Sequence, residues 1–82
     1  MAISNMKQFL RDRDNALLSL DKEKIVAYCN KYGVPIPDNE LVFWAGVHKG
    51  IIAMNASTAE QKRNSAMWLV EHGFKPGFSM EG

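Results

Sequence analysis

Cysteine is nearly absent from this sequence. Cys29 stands alone, so no disulfide can form within the chain and a reducing, cytoplasmic setting is expected. Histidine is scarce too: His48 and His72 lie far apart. Structural zinc wants four ligands in close pairs, so neither a metal nor a cofactor is predicted. Neither sign of charge predominates, since ten basic and nine acidic residues leave +1. Nucleic-acid-binding domains draw much of their affinity from neutralised phosphates, so this balance disfavours that class while leaving room for a local patch. Long apolar runs are missing as well. The most apolar stretch, Leu41 to Met54, is interrupted by Gly46, His48, Lys49 and Gly50 and is too short to span a bilayer. The opening residues, Met1 to Lys7, lack the basic-then-apolar order of a signal peptide. No membrane association is expected.

What the sequence does have is apolar and aromatic mass. Hydrophobic residues make up 46% of 82 residues, with five Met, two Trp, four Phe and two Tyr. That length suits one domain, spanning 1–82, with a modest core. Some of its apolar surface is expected to be completed by a partner or by a second copy in a homo-oligomer.

Helix punctuation is legible along the whole chain. Ser4 is the expected cap of a first helix at about 5–20, with Met6, Phe9, Leu10, Ala16, Leu17 and Leu20 at helical spacing. Asp21 caps a second at about 22–32, which carries Ile25, Tyr28, Cys29 and Tyr32 on one stripe. Gly33 then stops it, with Val34 and Pro35 following in the order of a left-handed glycine cap. Asp38 opens a third helix at about 39–54, apolar on most sides and therefore expected at the centre of the fold. Within it, Gly46 and Gly50 share a face, a spacing that means close helix packing or an approach by another molecule. Ser57-Thr58-Ala59-Glu60 reads as a capping box for a fourth helix at about 58–72, with Ala59, Ala66, Met67, Leu69 and Val70 facing inward. Gly73, Phe74 and Pro76 repeat the earlier stop, and 74–82 reads as an irregular tail pinned by Phe74 and Phe78. The predicted fold class is all-α, a compact four-helix domain.

No catalytic constellation emerges. Cys29 falls on an apolar stripe, where cysteine behaves as a small hydrophobe. His48 sits one turn after Trp44 and just before Lys49. Its plainest role is an imidazole stacked on Trp44 with one nitrogen hydrogen-bonded. The sharper reading puts Trp44, His48 and Lys49 at the rim of a binding surface. His72, in the last turn of its helix, is expected to cap it. Gly46-Val47-His48-Lys49-Gly50 has the residue types of a phosphate cradle but falls inside a predicted helix with no strand before it. A helix-turn-helix reading is disfavoured, because the 33–38 connection carries two prolines and the would-be recognition helix starts with Asp38-Asn39-Glu40. Arg11 and Arg13 on the first helix, with Trp44, His48 and Lys49 on the third, are the candidate partner contacts, since Arg and Trp most often anchor protein interfaces.

The run Lys24 to Pro35, leading into Leu41-Val42-Phe43-Trp44-Ala45-Gly46-Val47-His48-Lys49 and then Trp68-Leu69 before His72-Gly73-Phe74, resembles small phage and prophage proteins of gut Firmicutes. That resemblance covers most of the chain and brings no catalytic residues with it. It implies a non-enzymatic protein in the host cytoplasm that binds a host protein, such as a defence component or a CRISPR nuclease, and inhibits it. The Glu40–Ala45 run also resembles the second helix of phage sponge proteins that sequester cyclic nucleotides. The alternatives are therefore a small DNA-binding regulator and an oligomeric nucleotide sponge.

Overall fold

Capping chemistry decides where the helices begin and end. The computed structural model describes residues 3–75, with side chains from Met6 onward; the expected tail from 76 on, with Phe78, lies outside the described residues. Four α-helices form: α1 (Ile3–Ser19), α2 (Lys22–Tyr32), α3 (Glu40–Ala53) and α4 (Ala59–Glu71). No strand occurs among the described residues, and the fold class is all-α as expected. The chain divides into two compact units, Met1–Ile36 and Pro37–Gly82. In the first, α1 packs on α2; in the second, α3 packs on α4.

In the first unit, α1 starts at Ile3, so Ser4 lies inside the helix and not at its cap. Ala16 and Leu17 from α1 and Ile25 and Cys29 from α2 are buried. Phe9 packs edge-on against Tyr32 with ring centroids 5.0 Å apart, and Tyr28 lies 5.9 Å from Phe9. Burial pushes the Cys29 thiol above its ordinary pKa, which keeps it protonated. Leu20 closes α1 in the left-handed region at φ 54, a conformation that costs a non-glycine residue about 1–2 kcal/mol. The local bonds hold it there: Ser19 Oγ donates to the Ala16 carbonyl at 2.6 Å and accepts from the Asp21 amide at 3.1 Å. Asp21 then caps α2, accepting from the Glu23 amide at 2.9 Å. At the other end Gly33 adopts φ 69 and the Val34 amide reaches back to the Cys29 carbonyl at 2.9 Å. That is the predicted glycine stop.

In the second unit, Asn39 and not Asp38 caps α3, its side chain accepting from the Val42 amide at 3.1 Å. Ala45 and Ile52 from α3 meet Leu69 from α4 in a core cluster, against which Ala66, Trp68 and Phe74 pack. The cap of α4 is shifted by one residue from its expected place. Thr58 accepts from the Gln61 amide at 3.0 Å, and Gln61 Oε1 accepts from the Thr58 amide at 2.8 Å. Ser57 is thereby released to donate to the Ile51 carbonyl at 2.6 Å. The Lys62 ammonium folds onto the C-terminal end of α3. There it donates to the Ile52 carbonyl at 3.2 Å, to Ser57 Oγ at 2.6 Å and to the Met54 carbonyl. A cation there offsets the negative end of the helix dipole. α4 ends on Gly73 at φ 85, with the Phe74 amide bonded to the Leu69 carbonyl at 2.8 Å.

Candidate partner-binding face

A helix advances about 100° per residue, so neighbours in sequence face different ways. Along α3 this separates the residues that the sequence grouped together. Val42, Gly46, Lys49 and Ala53 recur at helical spacing and are all exposed, whereas Phe43, Ala45, Val47, His48, Ile51 and Ile52 are buried. Lys49 thus lies on an outward face with Val42 and Gly46 as its neighbours.

His48 lies elsewhere. It is 8% exposed and points toward α4, where its Nδ1 shares a hydrogen bond of 2.9 Å with Ser65 Oγ. The expected stack on Trp44 is loose, with centroids 6.4 Å apart and rings tilted by 41°. Trp68 of α4 takes that place, stacked on His48 at 4.5 Å and 24°. His72 also stacks on Trp68, at 4.0 Å and 20°, so one indole carries two imidazoles. Burial, with the charge of His72 second, pushes the His48 pKa below its ordinary value. A buried imidazole satisfied by a buried serine is a packing element, and His48 is removed from the candidate contacts. Ser65, 3% exposed, offers no hydroxyl that a substrate could reach. His72 caps α4 as predicted: its Nδ1–H donates to the Trp68 carbonyl at 2.7 Å.

Trp44 is half-buried, and its indole N–H donates to Glu40 Oε2 at 2.9 Å. Arg13 is likewise engaged, with Nε and Nη2 both donating to Asp14 Oδ1 at 3.1 and 2.9 Å. Arg11 is exposed and makes no ion pair with the described residues. Arg11 and Arg13 belong to the first unit, and Trp44, His48 and Lys49 to the second.

A polar cluster that the sequence reading missed lies in the first unit, on the groove between α1 and α2. Asp12 accepts from the Tyr32 hydroxyl at 2.5 Å, from Lys31 Nζ at 3.3 Å and from Gln8 at 3.0 Å. The Tyr32 hydroxyl is the main reason its carboxyl is held below the usual carboxylate range, with Lys31 and Gln8 adding to it. Asp12 belongs to the sign-alternating run Arg11-Asp12-Arg13-Asp14. No signal within the run distinguishes Asp12, whose donors Lys31 and Tyr32 come from the other helix.

Gly46 is a feature of α3 that its own fold does not explain. A Cβ built there meets nothing within 4 Å. Close packing against α4, one of the two expected reasons for a glycine at this position, is excluded. No group of three or more His, Cys, Asp or Glu side chains that could hold a metal ion occurs among the described residues. No helix of the described residues is long and apolar enough to cross a membrane.

No family model, curated protein or solved structure matches the chain.

Proposed function

We propose that this protein is a non-enzymatic binding protein that docks on another protein through the outer face of α3. The expected partner is a host protein met by a phage- or prophage-type protein, with a defence component as the favoured class. Gly46 carries the reading. Glycine inside a helix costs about 1 kcal/mol relative to alanine, and Gly46 has open space around it, so the fold gains nothing from the missing side chain. A partner that must approach the α3 backbone does gain from it. Around that gap stand Val42, 46% exposed, and Lys49, whose ammonium makes no ion pair among the described residues. An apolar contact, a gap and a cation form a small anchoring pattern suited to a protein surface bearing an acid.

The test exploits the opposite signs of the two effects. Gly46→Ala is expected to raise the unfolding free energy by about 0.5–1 kcal/mol while weakening partner binding. Gly46→Leu, equally compatible with a helix, should fill the gap and abolish recovery of the partner. A tagged pull-down from host lysate, read by mass spectrometry, compares the wild type, Gly46→Leu and Arg11→Glu/Arg13→Glu. One host protein lost only with Gly46→Leu supports the α3 face. Equal recovery by Gly46→Leu and wild type overturns that face, and loss with the arginine pair moves the contact to α1. Recovery of no specific protein overturns the binding role.

A further inference from the structure

On α4, the residues turned away from the core are not what a solitary solvent-facing helix carries. Met67 is 53% exposed and Val70 60% exposed, although both were expected to face inward. Arg63 and Glu71 flank them; both are exposed and neither makes an ion pair among the described residues. Together with Ala66, these four side chains line a shallow hollow on the helix surface.

The order of these residues is self-complementary. Arg63, Met67 and Glu71 fall at four-residue steps and so form one ridge along the helix, with the Ala66 and Val70 row beside it. Turning the helix end for end about Met67 exchanges the arginine for the carboxylate. A second α4, brought antiparallel about a two-fold axis at Met67, would set Arg63 of each copy against Glu71 of the other. Two ion pairs would then bracket an apolar centre. The same register places Asn64 opposite Val70 and Glu60 opposite Phe74, so no like charges meet. Each Met67 would seat beside the partner's Ala66–Val70 row, where an unbranched thioether adapts well to an irregular gap.

We infer that this face of α4 is the interface of a symmetric homodimer, with a second copy of this chain as its occupant. Isologous contacts of this kind require a patch that complements itself, and the ridge has that property in the order of its charges about Met67. The inference concerns α4 alone and does not depend on the α3 face.

Sedimentation velocity on the full chain, from low to high micromolar concentration, tests it. The wild type should pass from monomer to dimer over that range. Arg63→Glu alone or Glu71→Arg alone turns both attractions into repulsions and should weaken association by roughly tenfold or more. The double variant Arg63→Glu/Glu71→Arg restores opposite charges across the axis and should recover most of that loss. Met67→Glu, which sets two carboxylates at the axis, should weaken it by roughly 100-fold. All four substitutions lie on exposed positions, and circular dichroism checks that each variant keeps its helix content. A wild type that stays monomeric throughout overturns the inference. So does a dimer indifferent to Met67→Glu, or one in which the double variant associates no better than the single ones.

Discussion

Leu69→Ala is expected to lower the unfolding free energy by about 2–5 kcal/mol. Leu69 is fully buried, at 0% exposure, between Ala45 and Ile52. Truncating it removes the transfer energy of the side chain and leaves a cavity that two rigid helices close only in part. Small domains are held by a margin of about 5–15 kcal/mol, and a chain of 82 residues belongs near the lower end. The variant should therefore unfold at a much lower urea concentration, as read by far-ultraviolet circular dichroism. Val70→Ala, one residue along, makes the control. Val70 is 60% exposed, so in dilute solution its truncation should change stability by no more than about 0.5 kcal/mol. Equal shifts for the two variants would mean that the inward face of α4 has been misassigned.

Acid should loosen the second unit through His48. Its neutral imidazole is buried against Ser65 and against Trp68, on which His72 also stacks. These are the groups α4 turns toward it, and α4 brings no carboxylate among them. With the folded pKa lowered from 6.5, the unfolded chain takes up its proton first as pH falls. Stability is then complete above the unfolded value and declines as pH drops from there toward the lowered folded value. Unfolding midpoints at pH 8 and pH 5 should differ in that direction, and His48→Phe should flatten the difference. Ser65→Ala tests the bond itself. It leaves a buried ring nitrogen without a partner and should cost about 1–3 kcal/mol at pH 8. A midpoint unmoved by Ser65→Ala, with a pH dependence that survives His48→Phe, would show that this pair contributes nothing.

Local chemistry is the part of the structure that was legible in advance. The stops at Gly33 and Gly73 depend only on neighbouring residues, and both form as the Gly-apolar-Pro order predicted. The caps of α3 and α4 each slipped by one residue because two suitable capping residues stand side by side. At 57–58 both have an acceptor three residues on, in Glu60 and Gln61. The choice between them is tertiary, since the Ser57 hydroxyl is needed at the end of α3.

The face of α4 was misread for a related reason. Ala66, Met67, Leu69 and Val70 span too wide an arc for one helix face. Packing against α3 selects Ser65 and Leu69 as the buried positions and leaves Met67 and Val70 outside. A serine was not an obvious core residue until His48 was known to need it. Of the expected contacts, Lys49 and Arg11 are exposed, but His48 could not share a face with the residue next to it.

The His48–Trp68 stack makes this protein its own optical probe. An imidazolium lying flat on an indole quenches its emission, whereas a neutral imidazole does so far less. Trp68 stacks on the buried His48, whose pKa burial pushes down, so its brightness on acidification should fall only as the core begins to admit charge. The onset of acid loosening can thus be followed by light, without a label.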